Sequence, residues 1–168
     1  MKSITISIVN WNTANELQPC LDSILLQQGV NVSIIVVDNA SSDNSVEIIK
    51  DKYPAVKLIV NSNNAGFGKA HNQALQISTG DYHLILNPDT TMPDPNTLKN
   101  IVDYMESNPD IGILGPKILN SDGTLQYSAR RFPSMIAGMF RNTVLDKLFP
   151  KNKFVRDYLM TDWSHDQI

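Results

Sequence analysis

"SITISIVNWNTANELQPCLDSILLQQGVNVSIIVVD", residues Ser3 to Asp38, decides the fold. Its two ends are short and rich in β-branched residues. The second, "VSIIVVD" (Val32–Asp38), is an almost continuous apolar run, as a strand buried on both faces requires. Between them Thr13-x-x-Glu16 reads as a capping box, Leu21, Ile24 and Leu25 recur at helical spacing, and Pro19 fits near the first turn. Two strands joined through a helix make a parallel β-α-β unit.

The unit repeats along the chain. "VKLIVN" (Val56–Asn61) and "YHLILN" (Tyr82–Asn87) read as further strands. A second helix is expected from about Ser42–Asp43 to Pro54, with Val46, Ile48 and Ile49 on its apolar side. A third runs from about Phe67 to Thr79 with Gly80 as its C′ residue. A fourth lies in "DPNTLKNIVDYM", with Asp94 as cap and Pro95 at the first helical position. Four alternations predict an α/β fold: a Rossmann-like, doubly wound, mostly parallel sheet with helices on both faces and right-handed crossovers. Beyond Asn108 the alternation breaks. "IGILGPKIL" reads as a strand, "NSDGTL" as a tight Asp-Gly turn, "LQYSARRF" as a strand or extended segment, and Ser134–Phe149 as a helix.

Composition excludes several classes. With 168 residues the chain fits one domain and can bury roughly 70% of its unfolded surface. The 42% hydrophobic and 18% charged fractions are those of an ordinary globular protein, and a net charge of −3 gives no general pull toward nucleic acid. A single cysteine, Cys20, rules out an internal disulfide and suits a reducing, cytoplasmic setting; its apolar helical context reads as core. No apolar run approaches the ~20 residues of a membrane span, and "MKSITISIVNW" is too short and too alternating for a signal peptide.

Polar residues gather where a parallel sheet binds ligands, outside the carboxyl ends of its strands. The first strand ends in Asn10-Trp11-Asn12, the second in Asp38-Asn39, the third in "NSNNAGFGKAHN", and the fourth in Asn87-Pro88-Asp89. One such end is ordinary loop polarity; four on one rim point to a ligand site. Asp38 either caps the next turn or accepts hydrogen bonds from a base or ribose edge. Ser41, Ser42 and Asp43 read as the cap of the second helix. Gly66 and Gly68 either permit a sharp turn or let backbone approach a phosphate at a helix N-terminus, where Lys69 would add charge. His71 and His83 read as structural. Asp89, with Asn87 and Thr90 beside it, suits Mg²⁺ or Mn²⁺, cations that take few protein carboxylates and complete their shell with phosphate oxygens and water.

These residues resemble the family 2 glycosyltransferases, inverting nucleotide-sugar-dependent enzymes of GT-A fold, and among them the rhamnosyltransferase-like bacterial members. "SIVNWN", "VVDNASSDNS", "NNAGFGKAHNQAL", "LILNPD" and "ILGPKILNSDG" carry the resemblance over nearly the whole chain. It implies that Asp38 contacts the nucleobase or ribose and that Asn10 lines that pocket. It also implies that Asn64, Gly66, Phe67, Gly68 and Asn72 shape the nucleotide-sugar site, with Asn12, Asn39 and Asn87 on the same rim. Asp89 occupies the last position of the D-x-D metal motif, whose first position is Asn87 here. The implied donor is a UDP- or dTDP-sugar, the acceptor a saccharide or lipid-linked molecule, and the setting bacterial cell-surface polysaccharide synthesis. On this reading residues 1–120 form the nucleotide-sugar-binding half and 121–168 begin the acceptor side, as an N-terminal portion of one structural domain. The family's general base has no counterpart: Asp162 and Asp166 stand in no matching context, so slow or absent transfer is expected of these residues alone.

Two rivals have different signatures. A nucleotide-sugar-binding module without turnover is expected to lack the base. A dinucleotide-dependent oxidoreductase needs G-x-G-x-x-G at the first strand–helix turn; that turn is glycine-free, and "GFGKAH" has His71 at the third glycine. Arg130, Arg131, Arg141, Lys147, Lys151, Lys153 and Arg156 supply half of the 14 basic residues, opposed within that segment only by Asp146. Met135, Ile136, Met139, Phe140, Val144, Leu148 and Phe149 recur there at near-helical spacing. Such a stripe either packs on protein, the favoured reading since these stripes are commonly core faces, or docks on an anionic membrane. Both leave apolar surface exposed and open to self-association, as in a homodimer.

Overall fold

The structure, a computed structural model, describes residues 1–132, 134–140, 152–161 and 163. The chain divides into two compact units, residues 1–112 and 113–168. The first alternates strand and helix throughout: β1 (Ser3–Asn10), α1 (Ala14–Leu25), β2 (Asn31–Asp38), α2 (Ser45–Lys52), β3 (Lys57–Val60), α3 (Phe67–Gln76), β4 (Tyr82–Leu86) and α4 (Thr97–Ser107). All strand pairs are parallel, in the order β3-β2-β1-β4, with Asn10 opposite Asp38 and Ile8 opposite Leu86.

Side chains of β1 alternate between two buried faces. Ile4, Ile6 and Ile8 join Ile34 and Val36 of β2 under Leu17, Leu21 and Ile24 of α1, Ile49 of α2, and Leu98 and Val102 of α4. Each such side chain contributes about 2 kcal/mol when fully buried. On the opposite face Val9, Ile35 and Val37 meet Ala70 and Ala74 of α3, whose small side chains allow close helix–sheet approach. Thr5 and Ser7 share that face and are buried although polar, because each hydroxyl is hydrogen-bonded. α1 and α2 step the sheet outward to β3, and α3 carries the chain back to β4. The direction therefore switches between β1 and β4, where open α/β sheets leave a crevice.

Several local expectations give way to long-range contacts. Thr13 forms no capping box; its hydroxyl donates to Asn10 Oδ1 at 2.6 Å, and the Ala14 amide is bound instead by Asp43 Oδ2 at 3.0 Å. Pro19 lies inside α1, on its exposed side, where a missing amide costs least. Gly80 follows α3 by several residues and is no C′ cap: a Cβ there would come within 2.6 Å of the Thr5 amide of β1. α4 starts at Thr97, after a turn through Pro95 and Asn96, and the Leu98 amide finds Gln27 Oε1 at 3.0 Å.

In residues 113–168 the expected strands are absent among the described residues. One antiparallel bridge, Leu119 to Leu125, flanks the Asp-Gly turn, where Gly123 has φ +82°. The turn is closed by the Gly123 amide on Asn120 O at 2.9 Å and the Asn120 amide on Thr124 O at 2.8 Å. Short helices follow, α5 (Met135–Phe140) and α6 (Lys153–Leu159). Residues 141–149 of the expected helix lie outside the described residues. No helix among the described residues is long and apolar enough to cross a membrane.

Candidate functional site

Parallel pairing brings the carboxyl ends of β1 and β2 together, and their side chains interlock there. Asn10 Nδ2 donates to Asp38 Oδ1 at 2.7 Å and to Ser41 Oγ at 2.9 Å. Asp38 Oδ2 accepts the Ser41 amide at 2.9 Å. Asp38 is only 1% exposed, so these bonds offset the loss of hydration. A carboxylate has about four acceptor positions, which leaves Asp38 capacity for further donors. The two loops also hold each other. The Asn12 amide donates to Ser41 Oγ at 3.0 Å, and Asn12 Oδ1 accepts the Ser42 amide at 2.7 Å. Asn12 (φ 55°) and Ala40 (φ 62°) adopt left-handed backbone, a strained state for residues with a Cβ that the interlocked loops maintain. Asp43 bonds the first amides of both helices, Ala14 of α1 and Ser45 of α2, and these donors, with the Ser45 hydroxyl, hold its carboxyl below the usual range against the opposing effect of burial.

A second network joins β2, β3 and α3. Asn39, 2% exposed, accepts from Asn61 Nδ2 at 2.9 Å, and Asn61 pairs through both amide atoms with Gln73 of α3 at 2.9 and 3.0 Å. Ahead of α3, Asn64 Oδ1 accepts the Gly66 amide at 2.9 Å. Gly66 has φ +83°, a conformation that favours glycine, whereas Gly68 has an ordinary φ and open space around it. No side chain caps α3, and its first turn, Gly66, Phe67, Gly68 and Lys69, is exposed. Asn72 is exposed one turn on.

Beneath that turn His71 is 4% exposed and packs its ring against Phe67 edge-on, with centroids 4.3 Å apart. Ser7 Oγ lies 2.8 Å from His71 Nδ1 and 2.9 Å from His83 Nε2, and His83 Nδ1 lies 3.1 Å from Ser78 Oγ. His71 Nε2 is buried without a partner. One proton arrangement serves this chain well: His71 Nδ1–H donates to Ser7, Ser7 donates to His83, and His83 donates to Ser78. The orphan is then a bare lone pair, which costs less than an orphan donor. Burial, and for His71 also the neighbouring His83, holds both rings below the ordinary value of 6.5.

β4 ends in a turn closed by the Thr90 amide on Asn87 O at 3.2 Å. Asn87 and Asp89 are exposed, and no described residue hydrogen-bonds the Asp89 carboxylate. Burial, and secondarily the charge of Asp89, pushes the Cys20 thiol up to about 12, so it stays protonated and donates weakly to Asn87 O at 3.7 Å. Among the described residues no three His, Cys, Asp or Glu side chains gather closely enough to hold a metal. A cation at Asp89 would thus meet one free carboxylate and the neighbouring Asn87 amide, an oxygen donor set that fits Mg²⁺ or Mn²⁺ with phosphate or water completing the shell.

The structure therefore brings Asn10, Asn12 and Asp38 into one interlocked group, to which Asn39 is joined by its backbone amide on Asn10 O while its side chain serves the Asn61 network. It places Asn64, Gly66, Phe67, Gly68 and Asn72 at the start of α3, and Asn87 and Asp89 after β4. Ser41, expected to cap α2, instead bonds Asn10, Asn12 and Asp38. Sequence reasoning missed Asn61 and Gln73, which pair between the end of β3 and α3, and Trp11, which is 55% exposed between Asn10 and Asn12. Asp162 and Asp166 lie outside the described residues.

The family model described as Glycosyl transferase family 2 matches residues 5–163. The N-acetylglucosaminyl-diphospho-decaprenol L-rhamnosyltransferase of Mycobacterium tuberculosis is 28% identical over 166 residues, covering 92% of this chain and 53% of its own length. The succinoglycan biosynthesis protein ExoO of Rhizobium meliloti is 28% identical over 124 residues, covering 71% of this chain and 35% of its own. Among solved structures, a mannosyltransferase from Pyrobaculum calidifontis in complex with GDP-Man and Mn²⁺ aligns with a TM-score of 0.61 at 25% identity, over 70% of this chain and 35% of its own. TarS of S. aureus with UDP-GlcNAc shares the fold, with a TM-score of 0.57 at 22% identity over 72% of this chain and 38% of its own. The chain spans about half the length of the first of these curated relatives.

Proposed function

As this chain belongs to glycosyl transferase family 2, we propose that it binds a pyrimidine nucleoside-diphosphate sugar, UDP- or dTDP-linked, at the rim of β1, β2 and β4. It passes the sugar, with inversion, to a saccharide or lipid-linked acceptor in cell-surface polysaccharide synthesis. The observation that carries the reading is the pairing of an almost sealed Asn10–Asp38 group with an exposed, unbonded Asp89 along one sheet edge.

The roles follow from those environments. Asp38, held rigid by Asn10 and Ser41, accepts from donor groups of the base or ribose. The half-exposed Trp11 ring offers a face on which a base can stack. The uncapped amides of α3, reached over the bare backbone of Gly66 and Gly68, suit the negative charge of the diphosphate. Asp89, with Asn87 beside it, would hold Mg²⁺ or Mn²⁺. When bound there, such a cation neutralises charge that develops on a departing nucleoside diphosphate. The relatives support the substrate classes: one is named for rhamnosyl transfer to a decaprenol-linked acceptor, and a structural neighbour was solved with a nucleotide sugar and Mn²⁺.

Calorimetry with UDP, dTDP, GDP and NAD, each with and without Mn²⁺, tests this reading. Binding of UDP or dTDP that strengthens with Mn²⁺ is expected. A preference for GDP overturns the pyrimidine assignment, and binding of NAD alone overturns the whole proposal. Release of nucleoside diphosphate on adding acceptor separates an enzyme from a binding module.

A further inference from the structure

The loop after β4 is fastened at both ends by one stripe of α1 and its C-terminal turn. Cys20, Ser23 and Gln27 are spaced by three and four residues, so their side chains leave one helical face. Near the start of the loop the Cys20 thiol donates to Asn87 O. In its middle Ser23 Oγ accepts the Met92 amide at 3.1 Å while donating to Cys20 O at 2.7 Å. At its far end Gln27 Nε2 donates to Met92 O at 3.2 Å and Asp94 O at 2.9 Å, and its Oε1 accepts the Leu98 amide of α4. Pro88, Pro93 and Pro95 bring no amide donors, so little within the loop can hold it beyond local turns. Between the anchors Asp89 and Thr91 remain exposed.

We propose that Ser23 and Gln27 are positioning residues for Asp89: they set the loop in advance so that its carboxylate need not be ordered when a cation and diphosphate arrive. This rests on the reading of Asp89 given under Proposed function. Ordering a loop at the moment of binding subtracts from affinity, and an anchored loop avoids that loss. Neither Ser23 nor Gln27 hydrogen-bonds Asn10, Asp38 or the start of α3, so their removal reaches the proposed nucleotide pocket through the loop and, for Gln27, through the start of α4.

The test uses Ser23→Ala, Gln27→Leu and Gln27→Glu, with hydrogen exchange across residues 87–98 and UDP titrations with and without Mn²⁺. Ser23→Ala and Gln27→Leu are expected to speed exchange of the Met92 amide and to cut the Mn²⁺-dependent gain in UDP affinity by roughly 10-fold, the usual effect of losing a partner that orients a ligand. UDP affinity without Mn²⁺ is expected to stay unchanged. Gln27→Glu keeps an acceptor for the Leu98 amide but cannot donate to Met92 or Asp94, so α4 stays protected while the loop loosens. An unaltered Mn²⁺ gain in Ser23→Ala and Gln27→Leu, or unaltered exchange, overturns the inference and leaves the proposed function standing. No Mn²⁺ gain in the unsubstituted protein overturns the metal reading itself, and the positioning role with it.

Discussion

Asn10 donates to Asp38 across the paired ends of β1 and β2, and both side chains are sealed from solvent. The same Asn10 Nδ2 reaches Ser41, so one amide group ties two loops and neutralises none of the Asp38 charge. Asn10→Ala leaves a buried carboxylate short of a donor and is expected to cost about 1–3 kcal/mol of stability. Asp38→Asn removes the charge and replaces one acceptor by a donor facing either Asn10 Nδ2 or the Ser41 amide, so it is expected to cost folding about as much as Asn10→Ala and UDP affinity in addition. Chemical denaturation and UDP titration of both variants check this; an Asn10→Ala protein as stable as the parent contradicts it.

Asp89 presents the opposite case, a carboxylate that the fold does not use. Asp89→Ala is expected to change stability by less than about 0.5 kcal/mol, as surface substitutions away from structural contacts do. It is also expected to abolish most of the Mn²⁺ effect on UDP binding. Thermal melts and calorimetry measure the two separately, and a variant that retains the full metal effect refutes the assignment.

Folding holds His71 and His83 below their ordinary value of 6.5, chiefly by burial. The unfolded chain therefore binds protons that the folded chain refuses, and stability is full above about pH 6.5 and lost as pH falls below it. Carboxyls held low by hydrogen bonds, such as Asp43, Asp81 and Asp122, titrate well below that window and act only in stronger acid. Ser7 couples the two rings, so His71→Gln is expected to flatten the loss between about pH 7 and pH 5. Urea midpoints across that range decide it; a slope equal to that of the parent removes the histidines from the account.

The parallel sheet was legible because β1 and β2 are short β-branched runs and β4 a short, largely apolar one, each ending in turn residues. The polar strand ends were legible for the same reason: once the strands are parallel, Asn10, Asp38 and Asn87 must share an edge. Helix caps were not. Thr13 carries a good local signal, yet its hydroxyl turns to Asn10 and the Ala14 amide goes to Asp43 of another loop. Asp94 does accept the Asn96 amide, but α4 begins only at Thr97, and its Leu98 amide goes to Gln27 beyond the end of α1. Gly80 was misread for a similar reason, since the demand for a bare Cα comes from β1 and not from the end of α3. The Asn61–Gln73 pair has no motif at all; two amides find each other only after α3 has folded back across the sheet.

The basic, apolar segment allows a last prediction. Phe132 is fully exposed, Met135 and Met139 largely so and Phe154 about half so, within the second unit, while Lys153 and Arg156 lie on α6. Arg141, Lys147 and Lys151 lie outside the described residues. Exposed apolar surface of this kind favours protein contact, so concentration-dependent self-association is expected, weakened by Phe132→Ser with Met135→Ser. Membrane docking makes a different demand. Each basic residue near an anionic surface contributes about 1 kcal/mol, so Arg141, Lys147, Lys151, Lys153 and Arg156 together suffice for reversible, salt-sensitive attachment. Sedimentation with anionic and neutral vesicles separates the two. The expected result is no pelleting with either at low salt, alongside self-association in analytical ultracentrifugation. Pelleting with anionic vesicles alone, lost when those five residues become Gln, reverses the assignment and makes the segment a membrane contact facing a lipid-linked acceptor.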